Sequence, residues 1–195
     1  KGENTMNDNI YGIDLGTCNF KVFCKATGKI MKEKNTVAII NKNQIYAYGD
    51  DAYAMYEKAP ESIQVLFPVV SGVIADYNFL QTMIITFLEE KMKSKLRGSE
   101  FVVAVPTDIT DVEKRAFYDL VKDAGVKARK IMVVEKAVAD GLGLGIDVKN
   151  SQGVMVVNVG YATTEISILS LGGIVLSKLI KVGGYKFDEA IRNGV

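Results

Sequence analysis

One pattern constrains this chain more than any other: strand, glycine turn, strand, turn, strand occurs twice, once from Ile10 and once from Val154. The first copy runs from the apolar Ile10–Ile13 through DLGTCN into the alternating Phe20–Lys25, then to Lys29–Lys34. Alternation at period two with a glycine-bearing break is the signature of a hairpin. The second copy runs from Val154–Val157 through NVGYATTE into Glu165–Ser170, a Gly-Gly turn and Ile174–Val182. A duplication of this kind predicts two related α/β lobes whose glycine turns face each other across a cleft. Exposed backbone N–H groups in such turns bind anions, so a facing pair can clamp a polyphosphate from both sides.

The segments between the copies read as mixed α/β. Thr36–Ile40 and Gln44–Tyr48 predict a small hairpin split by NKN, and Asp50–Lys58 a helix stopped before Pro60. Tyr77–Leu96 predicts a long helix, with Leu80, Ile84, Phe87, Leu88 and Met92 at helical spacing as a core-facing stripe. Phe101–Val105 is a continuous apolar run, expected of a strand covered on both faces. Thr110–Ala124 predicts a helix with Thr110 and Glu113 as a capping box and Gly125 as its stop. Lys130–Val134 follows as a strand and Lys136–Leu144 as a helix rich in small residues.

Composition excludes several kinds of chemistry. The 195 residues contain no histidine, which removes His-ligated metals, Ser-His and Cys-His pairs and histidine acid–base catalysis. A net charge of +1 gives no field for nucleic acid, so no nucleic-acid partner is expected. Cys18 and Cys24 are too few for a disulfide framework and point to reduced thiols in a cytosolic protein. No apolar run reaches the ~18 residues needed to span a membrane. Residues 1–9 are polar and expected to be a disordered tail, with Met6 as a natural start and residues 1–5 an expression remnant.

From about Ile10 to Ile191 the chain resembles the actin-like ATPases, and within them the MreB bacterial actins. IDLGTCN matches the first phosphate loop of that family. YGDDAYAMYEKAP, VSGVIADY, VPTDITDVEKRA, SLGGIVLSK and VGGYKFDEAI match further stretches, in order and at the right spacing. The resemblance implies an actin-like (ribonuclease H-like) ATPase fold of the α/β class. It comprises a first lobe over residues 10–148, with a small inserted subdomain at about 35–72, and the start of a second lobe over 149–195. It also implies ATP or ADP with Mg²⁺ between the lobes and self-association into filaments. Attachment to the inner face of the cell membrane and partnership with the cell-wall synthesis machinery of rod-shaped bacteria follow by the same resemblance. MreB chains run well beyond 195 residues, so the sequence reads as part of a longer protein.

The resemblance assigns site residues position by position. In the first loop Asp14, Gly16, Thr17 and Asn19 stand where the family keeps them. Asp14 would hold Mg²⁺ through waters, because Mg²⁺ keeps much of its hydration shell. Gly16 and the amides after it would approach the phosphates. Cys18 replaces a small residue, and packing is its favoured role. Lys21 falls where actin carries a phosphate-binding lysine; an exposed strand lysine is an equal alternative.

The second loop departs from the family. MreB-like chains read DIGGGTTE where this one reads NVGYATTE. Gly160, Thr163, Thr164 and Glu165 remain. Asn158 replaces the acid that helps hold the metal and its catalytic water. Ala162 replaces a glycine that approaches phosphate, where a Cβ restricts positive φ and crowds the ligand, and Tyr161 adds bulk beside it. A third element departs too: MreB-like chains read EEP, and this one reads Glu135, Lys136, Ala137. Lys136 takes the position of the residue that orients the attacking water, and a charged lysine is no base unless strongly desolvated. Glu135 is retained, with a surface acid at the strand end as its alternative role.

These departures cluster on metal, phosphate and water positions while strands, caps and turns stay intact. The reading is an MreB-like cytoskeletal protein for cell shape, with nucleotide bound weakly and ATP hydrolysis slow or lost. Two alternatives stay open. One is an active ATPase in which Lys21 and Lys136 substitute for lost groups; the other is a non-polymerising scaffold or sugar-kinase-like relative that kept the fold. Lys93-Ser94-Lys95-Leu96-Arg97 lies where MreB-like chains contact membrane, and a solvated helix end is its alternative.

Overall fold

The computed structural model describes residues 9–92 and 96–194. In chain order its elements are β1 (Ile10–Leu15), β2 (Asn19–Cys24), β3 (Lys29–Lys34), β4 (Val37–Ile40), β5 (Gln44–Tyr48) and α1 (Gly49–Ala54). Next come β6 (Ile63–Leu66), β7 (Val69–Val70), β8 (Val73–Ile74), α2 (Tyr77–Met92), β9 (Glu100–Val105) and α3 (Asp111–Lys122). The chain continues through β10 (Lys130–Glu135), α4 (Lys136–Gly143), β11 (Val154–Val159), β12 (Thr164–Ser170), β13 (Gly173–Ile180) and α5 (Gly184–Asn193).

The main sheet has the order β10-β9-β1-β2-β3. Strands β10, β9 and β1 run parallel, and β1, β2 and β3 form an antiparallel meander. One face carries Tyr11, Ile13 and Leu15 from β1, Phe20 and Val22 from β2, and Phe101, Val103 and Val105 from β9, all buried. Leu80, Ile84, Phe87 and Leu88 of α2 and Phe117, Leu120 and Val121 of α3 join them in one apolar cluster. The stripe read on α2 is therefore the core stripe through Leu88, with Met83 added to it; the Met92 side chain lies outside the described residues. Strand β9 is fully buried on one face and half-buried on the other, where burial on both was expected. Thr110 and Glu113 close the capping box, Glu113 N–H donating to Thr110 Oγ1 at 3.3 Å and Thr110 N–H to Glu113 Oε2 at 2.7 Å.

A second sheet has the order β11-β12-β13, all antiparallel. Its core is smaller: Ala137, Val156 and Leu169, with Val138, Ile146, Val148 and Ile174 packed against them. Its other face leaves Met155, Val157 and Val159 exposed.

The duplicated hairpins share one strand register. In the first, Asp14 pairs with Lys21 and Leu15 with Phe20; in the second, Asn158 pairs with Glu165 and Val159 with Thr164. Four residues close each turn, beginning with Gly16 in one and Gly160 in the other. A Cβ on Gly16 would stand 2.8 Å from the Asn19 carbonyl oxygen, and one on Gly160 2.9 Å from that of Thr163. Glycine is required in both turns for the same close backbone approach. The duplication read in the sequence is thus a duplication of backbone geometry.

Several elements differ from their sequence-based expectation. Helix α1 ends at Ala54 rather than Lys58, because the chain then turns through Glu57 at φ 60°. Strands β6, β7 and β8 and helix α5 had no expectation at all. The expected last turn of α2, residues 93–95, lies outside the described residues.

Candidate functional site

The first three strands that feed the cleft are parallel and end together. Asp14 on β1 is level with Ala104 on β9, and Ala104 is level with Val134 on β10. Ligand sites of open α/β sheets lie beyond the carboxyl ends of such strands. The loop after β9 supplies Pro106, and the first residue of α4 supplies Lys136. The two hairpin turns close the cleft from the other side. Its walls hold Asp14, Gly16, Thr17, Cys18, Asn19 and Lys21 from the first hairpin, and Asn158, Gly160, Tyr161, Ala162 and Thr163 from the second, with Lys136 between them.

Asp14 is the electrostatic centre. Lys21 Nζ donates to its Oδ2 at 2.7 Å, and Lys136 Nζ lies 2.8 Å from its Oδ1 as an ion pair rather than an aligned hydrogen bond. Lys21 is nearly half exposed, whereas the Lys136 side chain is 19% exposed. Burial on its own pushes the Asp14 carboxyl up, but Lys136 and then Lys21 outweigh it and hold it below the usual carboxylate value. Lys136 reaches Asp14 across β9, a span of roughly 9–10 Å between outer strands, so its stem lies over the strand ends.

Asn158 takes up the position opposite Asp14 and turns its amide to Asp140 of α4, donating from Nδ2 to Oδ2 at 2.5 Å. Glu165, buried, accepts from Thr107 Oγ1 at 3.0 Å. The second loop is tied from behind. Gly184 N–H donates to the Gly160 carbonyl at 2.9 Å and Tyr185 N–H to that of Tyr161 at 2.8 Å. A Cβ on Gly183 would stand 2.6 Å from the Gly160 oxygen, so the GGY at the start of α5 exists to let this loop sit close. The Tyr161 ring packs at 5.6 Å from that of Tyr185.

Two of the sequence-read residues lie elsewhere. Glu135 turns to the far side of β10 and pairs with Lys114 at 2.9 Å, the surface alternative. Thr164 donates from Oγ1 to the Val182 carbonyl at 2.8 Å instead of facing the cleft. The expected strain at Ala162 is also not present, since neither Tyr161 nor Ala162 has a positive φ; the turn takes its tight approach at Gly160. Cys18 lines the cleft, its Sγ 3.4 Å from Lys34 Nζ. Both cysteines are free.

Sequence reading missed Gly72, Thr107, Asp140 and Gly183. Gly72, at φ +82°, carries the β7–β8 turn into the cleft, and its N–H donates to Thr17 Oγ1 at 3.2 Å. The Ser71-Gly72 pair and the Pro106-Thr107 step directly after a buried strand were the available signals. In the basic stretch read as a membrane contact, residues 93–95 lie outside the described residues. Leu96, its apolar residue, packs against the main core. Among the described residues no helix is long and apolar enough to cross a membrane.

The donor set does not fit a divalent metal. Of its two carboxylates, Asp14 already faces two ammoniums and Glu165 accepts from Thr107; the second loop offers an amide, and no group of three or more His, Cys, Asp or Glu side chains gathers among the described residues. Glycine turns with two lysines do fit a polyphosphate.

This arrangement, paired sheets with hairpin turns facing across a cleft, is the actin-like fold. It matches MreB5 of Spiroplasma citri bound to ADP with a TM-score of 0.85 and 33% identity, over 94% of this chain and 55% of that one. It matches the MamK double helical filament with a TM-score of 0.75 at 20% identity, a likeness of fold alone. The MreB/Mbl protein family model matches residues 8–195, and the chain belongs to that family. The cell shape-determining protein MreB of Escherichia coli (strain K12) is 36% identical over 97% of this chain and 56% of its own length. Cell shape-determining protein Mbl of Bacillus subtilis (strain 168) is 33% identical over 93% of this chain and 55% of its own. The chain therefore spans about half the length of the curated relatives it matches.

Proposed function

We propose that this chain is part of an MreB-type cytoskeletal protein for cell shape. In this reading it holds ADP or ATP between its two hairpin turns, self-associates into filaments, and hydrolyses ATP slowly or not at all. One observation carries the reading. Lys136, where the family resemblance puts the residue that orients the attacking water, points its ammonium at Asp14 from 2.8 Å. An ammonium held in an ion pair accepts no proton, and the amide of Asn158 accepts none either.

The glycine turns and the two lysines support nucleotide binding, as do the S. citri MreB5 structures, solved bound to ADP and to AMPPNP. Self-association rests on membership of the MreB/Mbl family. The two apolar clusters support two lobes, but Ala137, Val138, Ile146 and Val148 pack with the second sheet, so the cores part just before α4 rather than at about residue 148. A place at the inner face of the membrane beside the cell-wall machinery rests on family membership.

The test pairs phosphate release from ATP with sedimentation of the full chain. The expected result is a pelleted polymer with phosphate release near background, since losing one transition-state group costs about 10²–10³ in rate. Release at ordinary actin-like rates would overturn the lost-hydrolysis reading, and a protein that stays in the supernatant with every nucleotide would overturn the filament reading.

A further inference from the structure

We infer that this cleft binds the phosphates of a nucleotide without a divalent cation, the Lys136 ammonium standing in its place. The inference rests on the nucleotide reading above and names the form in which the ligand enters. In a metal-using site the carboxylate at the end of β1 must be free to hold metal-bound water. Here each of its oxygens faces an ammonium, Oδ2 to Lys21 at 2.7 Å and Oδ1 to Lys136 at 2.8 Å. Lys21 stands where actin carries a phosphate-binding lysine, so the departure is Lys136: a divalent ion approaching Asp14 Oδ1 would meet its ammonium.

The facing loop offers no compensation. Asn158 is neutral, and its amide is committed to Asp140 at 2.5 Å. Glu165, the remaining acid on the wall, accepts from Thr107 Oγ1 at 3.0 Å. Meanwhile each lysine has three N–H donors and gives no more than one to Asp14, which leaves donors for phosphate oxygens. Lys136 is suited to the task because its stem is covered, with 19% of the side chain exposed, so its ammonium is held at a fixed point like an ion in a site. Gly16 and Gly160 bring backbone close on either side. A metal-free triphosphate carries more negative charge than its magnesium complex, so a site built from two ammoniums should prefer the free anion.

The experiment is an isothermal titration of the full chain with ATP, once with excess EDTA and once with excess MgCl₂, repeated on Lys136→Met. For the parent, affinity in EDTA should equal or exceed that in Mg²⁺, and Lys136→Met should lose about tenfold or more of the EDTA affinity, ~1.4 kcal/mol per tenfold. Parent binding that needs Mg²⁺ by tenfold or more would overturn the inference and leave the nucleotide reading standing. Heat of binding in neither condition would overturn the nucleotide reading itself. Should Lys136→Met not fold, the parent comparison alone decides, and Lys21→Met, at a more exposed position, supplies the second variant.

Discussion

Replacing Asn158 by aspartate should destabilise the protein in a pH-dependent way. The change restores the acid that MreB-like chains carry here, so it looks like a repair. In this fold it sets a carboxylate against Asp140, whose oxygen lies 2.5 Å from the Asn158 amide nitrogen. The hydrogen bond is lost, which costs ~1 kcal/mol. Two unit charges relaxed to ~4 Å repel by roughly 4 kcal/mol at an effective dielectric constant near 20. Both side chains are half-buried, and solvent and side-chain movement take up part of that. A net loss of about 2–3 kcal/mol follows, or roughly 5–10 °C in melting temperature at ~2–4 °C per kcal/mol. The repulsion raises one carboxyl pKa of the folded pair above its unfolded value of ~3.9. The folded state then holds more protons than the unfolded state between those two values, so the deficit grows as pH rises through them and closes below pH ~4. Thermal melts of parent and Asn158→Asp at pH 7.5 and pH 4.5 measure this. Adding Asp140→Asn should return the melting temperature, because the amide then sits on the other side of the same bond. Equal stability of parent and Asn158→Asp at pH 7.5, or no rescue by the double substitution, would refute the reasoning.

Two further outcomes follow from the same geometry. Gly16→Ala and Gly160→Ala each push a Cβ to within 2.9 Å or less of a backbone oxygen, so each should cost about 1–3 kcal/mol in urea unfolding; a smaller loss at both would mean the turns open freely. Asp14, held below its ordinary pKa by two lysines, contributes stability that is fully present above its unfolded value and lost as pH falls through its folded one. The margin of parent over Asp14→Asn, ~1.5–3 kcal/mol, should be flat from pH 5 to 8 and shrink below pH 4 in pH-stepped melts.

What the sequence disclosed depended on whether the information was local. Alternation and a glycine break gave β1–β2 and β11–β12, and Thr110 with Glu113 gave the start of α3, because neighbours in the chain settle each. Strands β6 to β8 are two to four residues long, too short for a period to show. Helix α5 does carry an amphipathic pattern, which the sequence reading passed over. The cleft residues were legible as loops, but their pairings were not. Lys136 meets Asp14 because β10 and β1 flank β9, and strand order is not written in either segment. Glu135 and Lys136 are adjacent, yet one faces Lys114 and the other the cleft, since successive residues leaving a strand point to opposite sides.

Those pairings change how the altered positions should be read. Taken singly, Asn158 and Lys136 look like losses from an ATPase site. Taken with their partners, they form a consistent set: Lys136 answers the charge of Asp14, and Asn158 answers that of Asp140. Reversing either one alone creates a like-charge contact, Lys136→Glu against Asp14 and Asn158→Asp against Asp140. A site decayed by neglect would leave the altered residues without partners, whereas Lys136 and Asn158 each meet an acid. On the reading proposed above, its chemistry is better sought in what two lysines between glycine turns hold than in hydrolysis.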